Sequence, residues 1–352
     1  MICRSRASLR LSFAGGGTEL SPYLDIYGGH VLNATINMFA YASIMPRTDG
    51  KLQFIATDVG KSELIDATPE LPLDGALRLH RGAYSRIIRA FNGGKPLGLT
   101  VITSCDAPIG SGLGASSTIT VALIKAFDEL LGLGLGYYEL AHLAYEVERI
   151  DLKLNGGRQD QYASAFGGFN FMEFHSDDRV IINPLRIPEW IRSELEASLL
   201  LYYTGTSRES ASIIVEQTKR IAEAEADTIN SLHRIKAYAS EMKEHLLKGQ
   251  IDSMAHVLSK SWEEKRHQAA SISNARIDHI YDKALEAGAL GGKISGAGGG
   301  GFMMLMTDPV RRQEVMEVLK SEGGMLFPCS FSTEGAQSWR IRGSRVNQIT
   351  AK

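Results

Sequence analysis

The sequence predicts an α+β protein of two closely packed halves, and three observations predict it. Alternating apolar stretches crowd the first hundred residues, strand and helix signals interleave to about residue 185, and helical periodicity dominates from Glu189 until strands return near the end. The chain has 352 residues, enough for two domains of ordinary size, and we expect these to be residues 1–188 and 189–352. No repeat, low-complexity run or flexible linker marks the boundary, so the halves should pack against each other.

Taken in order, strands are expected at Ser8–Phe13, at Val31–Met45, with its Thr and Ile alternation, and at Lys51–Thr57. A helix should cover Leu77–Phe91. The β-branched run Leu99–Ser104 reads as a strand that ends at Asp106-Ala107-Pro108. Helices follow at Ser116–Leu131 and Tyr138–Lys153; in the second, Leu143, Ala144, Val147 and Ile150 mark the buried stripe. Phe169–Phe174 and Val180–Ile182 suggest a hairpin. Helices are then expected at Glu209–Lys248, Ile251–Gln268, Ile277–Ala287 and Pro309–Ser321, with strands at Phe302–Met306 and Met325–Phe331.

Composition narrows the function. The chain is 44% hydrophobic and 22% charged, the profile of a globular protein. Lys and Arg number 38 against 40 Asp and Glu, which argues against a nucleic-acid partner. The three cysteines, Cys3, Cys105 and Cys329, are widely spaced and form no CxxC pair, so neither a zinc site nor a disulfide framework is indicated. A reducing cytoplasm fits them, and no apolar run is long enough for a leader or a membrane span.

Glycine is the anomaly: 36 residues, clustered at Gly15–Gly17, Gly110–Gly114, Gly156-Gly157 and Gly298–Gly301. Clustered glycine means backbone that must come close to something. The segment Pro108-Ile109-Gly110-Ser111-Gly112-Leu113-Gly114-Ala115-Ser116-Ser117 joins a strand to a helix, so consecutive N–H groups face outward at the positive end of that helix. No lysine follows Gly114, which removes a Walker A loop. A dinucleotide fingerprint needs an acid at the end of a second strand, and Asp128 and Glu129 fall inside the helix instead. A plain capped helix start is the bland alternative.

Pro108 to Ser116 resembles the second motif of the GHMP kinases, a family that includes galactokinase, homoserine kinase and mevalonate kinase. Ala115 replaces the first serine of that motif, and the second, which in the family contacts the metal, is kept as Ser116. Lys293-Ile294-Ser295-Gly296-Ala297-Gly298-Gly299-Gly300-Gly301 resembles the third motif, a loop that closes over the nucleotide. Arg6 to Glu19, with Tyr27-Gly28-Gly29-His30-Val31, resembles the first, substrate-facing motif; Ser8 and Glu19 depart from its usual proline and aspartate. The resemblance implies a two-domain GHMP kinase-like fold, with an N-terminal ribosomal protein S5-like domain and a ferredoxin-like C-terminal domain with added helices. It implies ATP and Mg²⁺ as cofactors, with the nucleotide held by Pro108, Gly110, Ser111, Gly112, Leu113, Gly114, Ala115, Ser116 and Ser117. Gly296, Gly298 and Gly299 would complete the nucleotide site.

The same resemblance assigns the catalytic groups. Gly156 to Gly168 is similar to the Gly-x-x-x-Asp-Gln segment of galactokinase-like members, which makes Asp160 the base and Gln161 the neighbour that helps hold it. Read locally, Asp160 could as well cap a helix. Arg10 aligns with an arginine beside the base and the transferred phosphate. A glutamate is expected to join Ser116 on the metal; Glu148 is favoured and Glu146 is the rival.

The acceptor is expected to meet Arg10, Gly16, Gly17, Thr18, Glu19, Gly28, Gly29, Arg158, Asp160 and Arg208. The wording of the motifs, with Tyr203-Thr204-Gly205-Thr206-Ser207-Arg208, is most similar to the branch of the family that phosphorylates D-glycero-D-manno-heptose 7-phosphate at its anomeric hydroxyl. Thr206 to Glu209 also reads as a capping box that opens a helix, and a cation such as Arg208 in a first turn opposes the macrodipole unless an anion meets it. Pairing of Arg208 with a carboxylate is the bland alternative. A small sugar phosphate is thus the expected partner, for a monomer or homodimer. A free-sugar kinase of fucokinase or galactokinase type and a nucleotide-binding regulator without turnover are the competing functions.

Overall fold

The computed structural model describes residues 1–108, 110–205 and 210–342. The chain opens with β1 (Ile2–Ala14), a short helix α1 (Tyr23–Tyr27) and β2 (Gly29–Pro46), followed by β3 (Lys51–Ala56) and β4 (Lys61–Asp66). Then come α2 (Arg78–Phe91), β5 (Leu99–Cys105), α3 (Ala115–Leu131) and α4 (Tyr137–Tyr145), which continues as a π-helical turn over Glu146–Asp151. Helix α5 (Gln159–Phe166) leads to the hairpin β6 (Phe169–Phe174) and β7 (Val180–Pro184). The rest is α6 (Glu189–Ser198), β8 (Leu199–Tyr203), α7 (Ser210–Ala222), α8 (Ala226–Lys248), α9 (Ile251–Arg266), α10 (Ala275–Glu286), β9 (Ala289–Ile294), β10 (Phe302–Thr307), α11 (Arg312–Ser321), β11 (Met325–Phe327) and β12 (Gln337–Ile341).

Two sheets organise these elements. The first runs β12-β1-β2-β5-β3-β4, with β6 and β7 continuing from β2. Strand β2 is 18 residues long, so its first half pairs with β6 and its second half with β5 while β1 runs beside it. The second sheet runs β11-β8-β10-β9, all antiparallel. Helix α3 packs on β1 and β2, and α9 packs on β9. Glycine makes the second contact close: a Cβ on Gly291 would stand 2.2 Å from the Ala255 carbonyl oxygen. Leu9, Leu11 and Phe13 of β1 share one buried core with Leu199 and Leu201 of β8, Met304 of β10 and Leu258 of α9. The halves are therefore packed tightly together, as the missing linker led us to expect. We propose 188/189 as their boundary, with β12 returning to the first sheet.

Several elements differ from the sequence reading. The segment after Glu189 is less helical than its periodicity suggests. Leu199–Tyr203 is a strand buried on both faces, so it lacks alternation, and β9 carries two glycines that mask its strand character. The long helix expected over Glu209–Lys248 is broken between Ala222 and Ala226, where Ala224 adopts φ 51° without any glycine or proline to announce it. Ile150, expected in a buried stripe, is 56% exposed because the chain widens into the π-turn after Tyr145 and rotates the following residues. Strand β11 ends at Phe327, before Pro328, and is shorter than the expected Met325–Phe331.

Candidate active site

Two glycine loops meet backbone to backbone at the bottom of a cleft between the sheets. Gly110, Gly112 and Gly114 have φ of 78°, 86° and 78°, a conformation that L side chains rarely adopt. A Cβ on Gly112 would stand 2.3 Å from the Ser295 carbonyl oxygen, and one on Gly301 would stand 2.3 Å from the Ser111 carbonyl oxygen. Phe302 N–H donates to the Ser111 carbonyl (2.9 Å), and the Ser295 hydroxyl donates to the Gly112 carbonyl (3.0 Å). No side chain caps α3, whose N-cap is Gly114. The first N–H groups of α3 thus point into the cleft, where phosphate oxygens are natural partners.

Asp160 lies in the first turn of α5, against Gly114. Arg10 reaches it from β1, just past a break in the β1–β2 register between Ser8 and Arg10, the kind of irregularity that re-aims a side chain. The Arg10 guanidinium also donates to the Gly112 carbonyl at 2.6 Å. One cation thereby fixes the carboxylate and the first glycine loop together.

On the other side of the loop, the Ser116 hydroxyl donates to Glu148 Oε1 at 3.0 Å. Glu148 is 1% exposed and is turned into the cleft by the π-turn. Glu146 faces elsewhere and pairs with Arg86. Gln161 does not hold Asp160 as expected: its amide donates to Glu148 Oε2 (2.5 Å) and to Ser117 Oγ (3.1 Å). One helical step separates the two faces, so Asp160 looks toward Arg10 while Gln161 looks toward Glu148. Among the described residues no group of three or more His, Cys, Asp or Glu could hold a metal. A carboxylate and a hydroxyl still suit Mg²⁺, which takes its other ligands from phosphates and water.

The first motif forms the opposite wall. Glu19 Oε2 accepts from Gly17 N–H (2.7 Å) and Oε1 accepts from the Gln159 amide (2.6 Å); burial raises its pKa. Lys265 and Lys293 lie beside it, both buried. Burial lowers the Lys265 pKa to about 8, against the pull of Glu19, and lowers that of Lys293 well below its ordinary value. Lys293 donates to the Ser12 and Phe13 carbonyls from beneath β1.

Not every expected residue reaches the cleft. Thr18 ties the motif to itself, donating to the Gly15 and His30 carbonyls, and Gly29 leaves room for the Thr18 carbonyl, 2.3 Å from where a Cβ would stand. Gly28 and Gly29 thus shape the wall from behind. Gly298 lies against the Ile272 backbone, and the Gly299 N–H donates to the Ile272 carbonyl. Arg158 pairs with Asp178 and lies over the Tyr145 ring at 4.7 Å, away from the cleft lining. Arg208 lies outside the described residues. The cleft also includes groups that were given no role from the sequence: Ser12 and Gln159, which lie within the motifs, and Arg78, Arg149 and Lys265, which lie outside them. Lys265 carried no sequence signal, because a lysine in Trp-Glu-Glu-Lys-Arg reads as a solvated helix face.

The fold and the paired glycine loops define an ATP-dependent small-molecule kinase. The chain matches the GHMP kinases N terminal domain over residues 78–168 and the GHMP kinases C terminal domain over residues 242–324. It is 45% identical over 338 residues to D-glycero-alpha-D-manno-heptose 7-phosphate kinase of Campylobacter jejuni, covering 96% of this chain and 99% of that one. It superposes with a TM-score of 0.83, at 42% identity, on the solved structure of a D-glycero-D-manno-heptose 1-phosphate kinase from Bacteroides thetaiotaomicron, covering 97% of this chain and 100% of that one. L-fucokinase/L-fucose-1-P guanylyltransferase of Bacteroides fragilis is 25% identical over 342 residues, 90% of this chain and 36% of its own. The protein belongs to the GHMP kinase family.

Proposed function

We propose that the protein transfers the γ-phosphoryl group of ATP to the anomeric hydroxyl of D-glycero-D-manno-heptose 7-phosphate, giving the 1,7-bisphosphate. The observation that carries this reading is Asp160, held by Arg10 at the junction of the phosphate loop and the substrate-facing wall. The name of the Campylobacter jejuni relative supports the acceptor.

In this reading the N–H groups at the start of α3 bind the β- and γ-phosphates. Ser116 and Glu148 would hold Mg²⁺, which offsets phosphate charge when bound. Asp160 accepts the proton of the attacking hydroxyl, and Arg10 balances charge on both the carboxylate and the moving phosphoryl group. Glu19, Gly16 and Gly17 position the sugar. With Arg158 engaged by Asp178, Arg149 and Arg208 are our candidates for the acceptor's own phosphate. A cytoplasmic location suits ATP chemistry and the three free cysteines, and no helix among the described residues is long and apolar enough to cross a membrane.

ADP release across heptose, hexose and pentose phosphates beside their free sugars tests the proposal. The highest kcat/KM should fall on heptose 7-phosphate, roughly 10- to 100-fold above the free heptose, the worth of one charge-assisted contact. Preference for an unphosphorylated sugar would replace this reading with a free-sugar kinase. ATP binding without ADP release on any sugar would replace it with a regulator.

A further inference from the structure

One buried cation in the cleft is left without a task by the catalytic scheme. Lys265 stands in the last turn of α9, 5% exposed, and lines the cleft. An ammonium carries three N–H donors. One donates to the Gly296 carbonyl. Glu19 and Asp160 act on Lys265 through their charge, but neither forms an ion pair with it. Two donors therefore remain idle in a place that water barely reaches, an arrangement that costs stability unless a ligand meets them.

The neighbours of Lys265 say what kind of ligand. Gly16 has no side chain, and the point where its Cβ would stand is 3.4 Å from Ser12 Oγ, 3.7 Å from Gln159 Nε2 and 4.0 Å from Lys265 Nζ. Ser12 Oγ and Gln159 Oε1 are buried and have no hydrogen-bond partner. The Gln159 amide is oriented by its donation to the Glu19 carboxylate, so Oε1 can only accept. A phosphate or carboxylate could satisfy Lys265 but would leave that acceptor unpaired. A hydroxylated carbon chain satisfies all three groups, because each hydroxyl both donates and accepts.

We propose that Ser12, Gln159 and Lys265 form a hydroxyl-binding subsite for the acceptor, with Lys265 determining specificity through a sugar hydroxyl beside the one that attacks. This rests on reading the protein as a kinase of a sugar or sugar phosphate, not on the acceptor being a heptose. The lowered pKa of Lys265, caused first by burial, agrees with an ammonium that lacks its full set of partners. Because the same side chain holds Gly296, it also ties the acceptor wall to the second glycine loop.

The test uses the acceptor that the wild type turns over fastest, whichever sugar the ADP-release screen identifies, so failure of the heptose assignment leaves it intact. Lys265→Met keeps the unbranched apolar stem of the side chain and removes its donors. We expect KM for the acceptor to rise ~10- to 100-fold while KM for ATP stays within about twofold. Wild type should discriminate by about tenfold or more against one monodeoxy analogue of the acceptor, and Lys265→Met should lose that discrimination. An equal rise in both KM values, or undiminished discrimination against every monodeoxy analogue, would overturn the proposal and leave Lys265 as a brace for Gly296. If Lys265→Met fails to fold, Ser12→Ala, which leaves almost no cavity, is measured on the same analogues: lost discrimination supports the subsite, and undiminished discrimination overturns it.

Discussion

Arg10 grips Asp160 by a single oxygen: Nε lies 2.8 Å and Nη2 lies 2.7 Å from Oδ1. The second oxygen, Oδ2, is left beside the first glycine loop, 3.3 Å from where a Cβ on Gly114 would stand. A carboxylate held in this way is fixed in place by one oxygen and keeps the other for a proton.

Asp160→Asn preserves this shape but cannot take the proton. Its kcat should fall by roughly 10² or more. Binding of a fluorescent ATP analogue should be unchanged. Retention of more than about half the activity would mean that the base is elsewhere.

Glu148→Gln should raise the Mg²⁺ concentration needed for half-maximal rate, because it weakens one of two protein ligands of a loosely held ion. Ser116→Ala should act in the same direction. Glu146→Gln should leave the titration where it was, since Glu146 faces Arg86. A shift with Glu146→Gln and none with Glu148→Gln would reverse the assignment.

Gly112→Ala places a methyl group 2.3 Å from the Ser295 carbonyl oxygen at φ 86°, so the two glycine loops must part. We expect a loss of about 1–3 kcal/mol or more and a rise in KM for ATP. Gly132→Ala serves as the control: its φ is 67°, with nothing within 4 Å of the added carbon. That variant should lose only about 1–2 kcal/mol and keep its kinetics. Matching KM values in the two variants would show that the loops do not need their contact.

His80 gives the fold an acid-sensitive group. It is buried, its Nε2 lies 2.8 Å from Thr103 Oγ1, and burial lowers its pKa from 6.5 to about 4. Between those values the unfolded chain binds a proton that the folded chain refuses, so stability falls as pH drops through that window. Between pH 7 and pH 5 this one group should remove about 2 kcal/mol. Urea midpoints at the two pH values should show a smaller drop for His80→Leu than for wild type, and equal drops would contradict this.

What the sequence disclosed and what it concealed have physical causes. Gly110 to Gly114 and Ser116 stood out because a loop that must approach another backbone needs glycine in chain order, where a motif can record it, and Arg10 and Asp160, which the fold brings together, each lie in a motif of their own. Glu148 was harder, since choosing it over Glu146 depends on a π-turn, which no periodicity announces. Lys265 was invisible, because its place is set by α9 packing on β9 through Gly291, far along the chain. Arg158 misled for the opposite reason: it is close to Asp160 in sequence, yet from the start of α5 it turns to Tyr145 and Asp178.

Strand β12 pairs with β1 from Ile2↔Ile341 to Arg6↔Gln337, so the end of the described chain lies beside its beginning. The polypeptide is thus a closed circuit that leaves the first sheet after Pro184 and comes home at Gln337. A cut at 188/189 would yield an N-terminal piece with a bare strand edge, and bare edges recruit other chains. That edge belongs to the strand that carries Arg10. The two halves of this kinase are therefore not exchangeable cassettes: a graft that replaced everything after residue 188 would have to bring its own closing strand, or it would loosen the strand of Arg10 from behind.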